Sequence, residues 1–310
     1  MSKFFKALEQ AERDRAEGPG VERPDQVSGS GYRVLEMPSE RPQLQHVPVH
    51  RPEEPSPRPT PATSTDGPAP AVARTNGNLT DIEEHLVSVL TPDSFEAEQY
   101  RALRTSLEAL RQPGTSLVLA VSSPAEGDGK TTTAINLSAA LGQGGQAKVL
   151  LVDVDLRSPA VAAELGMNSG RNAGLVDAIL GESVHLQDVV CRRSPLWFDF
   201  VGAGRRVSSP YELLKSDRFV DLLQQARSAY DYVVLDTPPL VSFADCQVMG
   251  GSVDGFLIVV AAHRTPRKLL EEALNRLDQS KVLGMVFNRD DRPLSGYGYA
   301  YSYLGASRKS

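Results

Sequence analysis

The residues best suited to chemistry in this chain lie in one glycine-rich loop and at the ends of two later apolar runs. The loop spans 122–133 and reads Ser-Ser-Pro-Ala-Glu-Gly-Asp-Gly-Lys-Thr-Thr-Thr. The apolar runs end in aspartates within 149–157 and 232–239. Successive backbone N–H groups of such a loop can hold phosphate oxygens, and carboxylates are ligands that Mg²⁺ prefers. Together the three segments predict a site for a nucleoside triphosphate and Mg²⁺.

The glycine-rich loop has the composition of a phosphate cradle. Gly127 and Gly129 permit backbone turns that residues with a Cβ resist. Lys130 is expected to reach the β- and γ-phosphates, and the Thr131 hydroxyl is expected to bind Mg²⁺. Pro124 stands where the common pattern begins with glycine, and because proline has no N–H, one edge of this cradle must differ. The loop residues predicted to bind ATP are Glu126, Gly127, Asp128, Gly129, Lys130, Thr131 and Thr132.

The aspartates that follow the loop are the predicted metal and proton-transfer groups. Asp153 and Asp155 are two residues apart at a strand end, so their side chains project to one side. One can hold Mg²⁺ directly or through water, while the other takes a proton from an incoming hydroxyl group. Asp236 is expected to hold a Mg²⁺-bound water from the other side. The predicted catalytic residues are Lys130, Asp153 and Asp155, and the predicted metal site comprises Thr131, Asp153, Asp155 and Asp236.

Apolar strands that alternate with amphipathic helices must position these residues. Strands are predicted at 116–122, 148–156, 197–202, 232–236, 255–260 and 282–288, and helices at 94–111, 130–141, 216–228 and 267–279. Strands that are apolar throughout are typical of a parallel sheet covered on both faces. The predicted fold is therefore α/β, with a doubly wound, mostly parallel sheet that binds ligands at the carboxyl ends of its strands.

Composition divides the 310 residues into four parts. Twelve of the 22 prolines lie between positions 19 and 70, a stretch almost free of apolar runs, so 19–80 is interpreted as a disordered linker. A short charged helix is expected at 1–18, either frayed or docking to a partner or membrane surface. The catalytic domain is expected at 81–291, and a flexible tyrosine-rich tail at 292–310.

Charge, cysteine content and hydropathy exclude several classes of protein. The formal net charge of −6 disfavours binding to nucleic acid, which requires a basic face. The two cysteines, Cys191 and Cys246, lack metal-site spacing and are expected to be buried thiols in a reducing compartment. No apolar run approaches the roughly 20 residues that span a bilayer. A cytoplasmic location is therefore expected.

The motifs resemble those of the bacterial tyrosine autokinases of capsule and exopolysaccharide synthesis. The segment 150–157 matches that family's pattern of three aliphatic residues, Asp, any residue, Asp, an aliphatic residue and Arg. The segment 233–239 matches its later aspartate motif. In the loop, Glu126 and Asp128 replace the family's usual proline and glutamate. The resemblance implies a P-loop NTPase fold like that of MinD and ParA, and ATP- and Mg²⁺-dependent tyrosine phosphorylation.

The resemblance also implies roles for residues outside the loop. Glu98, Arg101 and Arg104 correspond to a helix that joins neighbouring subunits in a ring, although a solvated helix face is the alternative. Tyrosines separated by small residues correspond to acceptors that an adjacent subunit phosphorylates, the alternative being an edge strand. These acceptors are Tyr297, Tyr299, Tyr301 and Tyr303. Asn288 corresponds to an adenine contact in related ATPases, or it is simply a turn residue at a strand end.

The expected partners follow from the same resemblance. They are a separate membrane polysaccharide co-polymerase that activates the kinase and recruits it to the inner face of the membrane, other copies of the chain, and a tyrosine phosphatase. A MinD- or ParA-like ATPase switch without kinase activity is the alternative function. Ala125 stands where such switches usually carry an additional lysine, which counts against it. A scaffold without turnover is a third possibility, disfavoured by the intact Lys130 and aspartates.

Overall fold

The described part of the chain comprises residues 81–167, 173–193 and 196–290 of a computed structural model. The helix expected at 1–18, the linker expected at 19–80 and the tail with its four candidate acceptor tyrosines lie outside the described residues. The domain boundaries drawn from the sequence therefore stay predictions.

Six parallel strands form one sheet in the order β3-β2-β4-β1-β5-β6. The strands are β1 (Leu117–Ser122), β2 (Val149–Asp153), β3 (Asp199–Val201), β4 (Tyr232–Asp236), β5 (Gly255–Ala261) and β6 (Val282–Asn288). All six strands predicted from apolar runs are present, which confirms the predicted fold class. Since all strands run in one direction, their carboxyl ends share one edge of the sheet.

Helices connect and cover the strands. They are α1 (Val87–Leu90), α2 (Phe95–Glu108), α3 (Lys130–Gly142), α4 (Val161–Glu164), α5 (Leu175–Leu180), α6 (Leu186–Val189), α7 (Pro210–Lys215), α8 (Asp217–Ala229), α9 (Asp245–Met249) and α10 (Arg267–Asn275). Serine caps fix the starts of two predicted helices: Ser94 accepts a hydrogen bond from the Ala97 N–H, and Ser216 accepts one from the Phe219 N–H. Helix α10 is shorter than predicted: it ends at Asn275, and a separate 3₁₀ turn at Gln279–Lys281 precedes β6.

Both faces of the sheet are buried. Successive residues of a strand point to opposite faces, and every residue of β1, β2, β4 and β5 is buried. Helix α3 contacts all four of these strands and α8 contacts β4. The side chains on both faces of these strands are therefore buried, as in a doubly wound sheet. Within the described residues, no helix has the length and apolar content needed to cross a membrane.

Strand register brings two of the predicted aspartates together. Asp153, the last residue of β2, is paired in register with Asp236, the last residue of β4. On the other side of β4, Asp236 is in register with Val121 of β1, whose strand leads into the glycine-rich loop. The order of the central strands thus places the loop beside both acidic strand ends.

Candidate active site

Lys130 is the centre of a charged cluster at the carboxyl edge of the sheet. It is the first residue of α3, and its Nζ lies 2.8 Å from Asp155 Oδ2 and 3.9 Å from Asp236 Oδ1. The hydroxyl of Thr131 donates to Asp236 Oδ2 at 2.7 Å. The structure therefore brings these residues together, as their positions at strand and helix ends predict.

Two buried carboxylate oxygens in this cluster have no hydrogen-bond partner. Asp153 Oδ2 accepts bonds of 3.1 Å from the N–H groups of Ala160 and Val161, but its Oδ1 is buried and unpartnered. Asp236 Oδ1 is likewise buried without a hydrogen bond. Asp153 is 1 % exposed and Asp236 is fully buried, so bulk water does not reach these oxygens. Unsatisfied buried carboxylate oxygens are costly and indicate a site that a cation or its waters complete.

Burial and charge shift the pKa values of the cluster. Burial, and then the charge of Asp236, hold the pKa of Asp153 well above its ordinary value. Burial raises the pKa of Asp236 to about 6, although Lys130 and the Thr131 hydroxyl act in the other direction. Burial opposes the charged form of Lys130, but the carboxylates of Asp236 and Asp155 outweigh it and raise its pKa. The cluster therefore holds its negative charge at a cost that a bound cation would reduce.

The residues fit Mg²⁺, but not as a complete cage of protein ligands. Among the described residues, no group of three or more His, Cys, Asp or Glu side chains is arranged to hold a metal. Mg²⁺ commonly binds one or two carboxylates and takes its other ligands from phosphates and water. The two unpartnered oxygens, together with the Thr131 hydroxyl, suit such a partial site.

The loop owes its shape to glycines at positive φ. Gly127 has a φ of 78° and Gly129, directly before α3, has a φ of 96°. A Cβ on Gly129 would lie 2.0 Å from the Asn288 amide nitrogen, which donates to the Asp128 carbonyl at 3.0 Å. Asn288 therefore braces the loop from the end of β6. Its predicted adenine contact stays a prediction.

Asp128 also braces the loop from within. Its Oδ2 accepts from the Ala125 N–H at 3.1 Å, and its Oδ1 accepts from the Thr265 hydroxyl at 2.7 Å. The residue is buried, whereas the neighbouring Glu126 is exposed. The structure thus gives the Asp128 side chain protein partners at both oxygens, and its predicted contact with ATP stays untested. Thr265 was not predicted, since an isolated threonine after β5 carries no sequence signal.

A second unpredicted group surrounds Thr132. Glu164 Oε2 lies 3.5 Å from the Thr132 hydroxyl and 3.2 Å from His85 Nε2. Asn136, fully buried in α3, accepts from the Ser88 N–H at 2.8 Å and donates to the carbonyl groups of His85 and Thr132. The segment that enters the domain is therefore tied to the first turns of the loop helix.

The three candidate interface residues on α2 have partners within the chain. Arg101 pairs with Glu98 and also donates to the Pro92 carbonyl. Arg104 donates to the carbonyl groups of Ala140 and Gln143 at 3.0 Å each, at the end of α3. Arg104 thus fixes α2 against the helix that begins at Lys130. A subunit interface at these residues stays a prediction.

Comparisons with known proteins show that the chain is similar to bacterial tyrosine-protein kinases. The model of a family described as an AAA domain matches residues 116–281. The tyrosine-protein kinase YwqD of Bacillus subtilis is 32 % identical over 221 residues, which cover 70 % of this chain and 92 % of YwqD. The putative tyrosine-protein kinase EpsB of Ralstonia solanacearum is 33 % identical over 233 residues, 74 % of this chain but only 30 % of EpsB. The chain thus spans nearly all of one relative and under a third of the other.

The fold is also similar to that of a solved tyrosine kinase domain. The kinase domain of the Escherichia coli tyrosine kinase ETK superimposes with a TM-score of 0.61 at 30 % identity. The superposition covers 68 % of this chain and 84 % of that domain. The similarity therefore covers about two thirds of this chain and most of that kinase domain.

Proposed function

We propose that this chain, which belongs to the family of bacterial tyrosine-protein kinases, transfers the γ-phosphoryl group of ATP to tyrosine hydroxyls. The observation that carries the proposal is the position of Lys130, between Asp155 and Asp236 at the mouth of the glycine-rich loop. Phosphoryl transfer requires a cation that stabilises the charge of the transferred group and carboxylates that organise metal and nucleophile. The cluster contains both kinds of group.

Each residue at the loop receives a distinct role. Backbone N–H groups from Gly127 to Thr132 would hold phosphate oxygens at the start of α3, where the helix dipole favours anions. Lys130 would exchange Asp155 for the β- and γ-phosphates. Thr131, Asp153 and Asp236 would hold Mg²⁺, directly or through water. When bound, Mg²⁺ would neutralise negative charge on the phosphate groups.

Asp155 is the better candidate for the proton acceptor. One oxygen of Asp153 is fixed by two backbone N–H groups, and its other oxygen is buried beside Asp236, where it suits the metal. Asp155 instead contacts the ammonium group of Lys130, which must leave to bind phosphate. The freed carboxylate oxygen could then accept the proton of a tyrosine hydroxyl.

The proposed acceptors lie in the tail of a neighbouring copy. Four tyrosines alternate with small residues in the tail: Tyr297, Tyr299, Tyr301 and Tyr303. Small spacers would let each ring enter a pocket in turn. A ring of copies joined through Glu98, Arg101 and Arg104 would present one tail to the next site, and phosphates added to the tail would separate the copies by repulsion.

The proposed biological role is control of capsular or exopolysaccharide polymerisation and export. A separate membrane co-polymerase would activate this chain and hold it at the inner face of the membrane, and a tyrosine phosphatase would reverse the modification. The motifs at 150–157 and 233–239 support this role by their resemblance to kinases of those pathways.

Incubation of the purified chain with ATP and Mg²⁺ tests the activity. Reactions with and without the cytoplasmic segment of the co-polymerase from the same cell are analysed for phosphotyrosine by mass spectrometry. Phosphotyrosine that disappears in the Lys130→Met variant is the expected result. ATP hydrolysis without phosphotyrosine in either reaction would instead favour the ATPase switch.

A further inference from the structure

Arg157 forms an ion pair beside the cluster that the roles above leave unused. Its Nε and Nη2 donate to the two carboxylate oxygens of Asp245 at 2.8 and 3.0 Å. Its guanidinium carbon lies 4.3 Å from the centroid of the Phe243 ring. Asp245 is 1 % exposed, whereas about a third of the Arg157 side chain remains exposed. The bidentate geometry fixes the direction of the arginine as well as its position.

Asp245 is itself fixed to the end of β4. The next residue, Cys246, is fully buried, and its Sγ lies 3.4 Å from both the Thr237 hydroxyl and the Pro238 carbonyl. The Ser122 hydroxyl, at the end of β1, also donates to the Pro238 carbonyl at 2.8 Å. Because Thr237 follows Asp236 directly, the start of α9 is anchored to the strand end that carries a proposed metal ligand.

Arg157 belongs to the other acidic segment. It lies two residues after Asp155, whose Oδ1 accepts from the Ser158 N–H at 3.0 Å. The same loop supplies the Ala160 and Val161 N–H groups that fix Asp153. The backbone N–H groups of the loop between β2 and α4 thus fix both aspartates. The loop is tied to the β4 side of the site by the Val154 N–H, which donates to the Asp236 carbonyl at 2.8 Å, and further along by Arg157.

We infer that Arg157 is a positioning residue, which through Asp245 sets the position of Asp155 and its loop relative to Asp236. The effect on catalysis rests on the proposed function, whereas the positioning of the loop by Arg157 does not depend on it. Without the guanidinium group, Asp245 would be a buried, unpaired carboxylate, and the far part of the loop at 154–161 would lose its side-chain bond to the β4 side, while the Val154 N–H would still donate to the Asp236 carbonyl. Residues that orient metal-site carboxylates typically affect metal affinity as well as rate.

The chain offers a matched control for the loss of an arginine–aspartate pair. Arg227 binds the two carboxylate oxygens of Asp254 at 2.8 and 3.0 Å, as Arg157 binds Asp245. Asp254 directly precedes β5, at the opposite edge of the sheet from Lys130. Arg227→Ala therefore removes a bidentate pair of the same geometry, at a more exposed aspartate, without touching the candidate site.

Hydrogen exchange in the nucleotide-free protein tests the geometric part. In Arg157→Ala, amides at 154–161 are expected to exchange about tenfold faster than in wild type, because their opening free energy falls. Arg157→Lys, which keeps the charge but not the bidentate pair, should give an intermediate rate. Arg227→Ala should leave these amides unchanged. Equal exchange at 154–161 in both alanine variants would overturn the inference.

Binding of a fluorescent ADP analogue tests the consequence for the metal. The Mg²⁺ concentration that half-saturates binding is expected to rise about tenfold in Arg157→Ala and to stay at the wild-type value in Arg227→Ala. If the Mg²⁺ requirement rises in Arg157→Ala but the wild-type protein forms no phosphotyrosine, the kinase activity is refuted and the positioning role is retained. Normal phosphotyrosine formation, exchange and Mg²⁺ dependence in Arg157→Ala would refute the positioning role alone.

Discussion

Aspartates at the two ends of the central strands differ in hydrogen bonding and in exposure to water. At the amino ends, Asp231 accepts from Arg111 and from the Lys148 N–H, and Asp254 accepts from Arg227 and from the Val118 N–H. At the carboxyl ends, Asp153 and Asp236 each keep one buried oxygen without a hydrogen bond. The amino-end aspartates are about a third exposed, so water also serves them.

The same residue type therefore serves stability at the amino ends of the strands and function at their carboxyl ends. Paired, partly exposed aspartates accept N–H groups where neighbouring strands begin. Buried, incompletely paired aspartates make the folded state less stable than it could be, and such sites persist where a ligand supplies the missing partner. The predictions below test this contrast, each with an amino-end control.

The largest effect is expected for the lysine of the site. Lys130→Met should lower the rate of phosphotyrosine formation at least about 100-fold, because it removes the cation aimed at the developing charge. Lys148→Met, at the amino end of β2, should retain the wild-type rate. Quantification of phosphotyrosine at saturating ATP checks both. Activity in Lys130→Met equal to that in Lys148→Met would contradict the proposed role of the cluster.

Asparagine substitutions should give opposite results at the two ends. Asp153→Asn keeps an acceptor for the Ala160 and Val161 N–H groups, so the protein should fold, but the loss of a metal carboxylate should reduce activity at least about tenfold. Asp231→Asn should keep the activity and lose about 1 kcal/mol of stability, since it weakens two hydrogen bonds at a partly exposed site. Urea denaturation and kinase assays of both variants measure the two effects. The contrast breaks down if both variants lose activity equally.

The pH dependence of stability should show the cost of burying Asp236. Because its pKa in the folded protein is about 6, above its value in the unfolded chain, the folded state binds the proton more tightly. This contribution to stability is present at low pH and is lost as pH rises through 6, by about 2 kcal/mol between pH 4 and pH 8.

Comparison with Asp236→Asn isolates that contribution. Without nucleotide and Mg²⁺, the variant should be more stable than wild type at pH 8, and the difference should shrink towards pH 4. Denaturant titrations across this range give the difference directly. Asp254→Asn, at the amino end, should show no such gain at pH 8. A wild-type protein more stable than Asp236→Asn at pH 8 would show that the cluster is already satisfied without ligand.

The sequence predicted the strands and the charged cluster because both have strong local signals. Predominantly apolar runs locate the six strands, and the parallel order brings Lys130, Asp153 and Asp236 to one edge. Helices α1, α4 to α7 and α9 were not predicted, because four to six residues show too little periodicity. Their positions depend on the tertiary packing of the segments between strands.

The supporting residues of the site were harder to predict than the cluster itself. Thr265 contacts Asp128 from 137 positions away, and Asp245 contacts Arg157 from 88 positions away. Single polar residues at such separations carry no local pattern. Asn288 was singled out from the sequence, but its bond to the Asp128 carbonyl follows only from the placement of β6.

A mixing experiment tests the central claim most directly. A Lys130→Met chain with an intact tail is combined with an active chain whose Tyr297, Tyr299, Tyr301 and Tyr303 are changed to Phe, and ATP and Mg²⁺ are added with the co-polymerase segment. Mass spectrometry should find phosphate on the tail of the Lys130→Met chain, since the pocket of one copy serves the tyrosines of another. A tail that stays unphosphorylated while the mixture hydrolyses ATP would contradict the account.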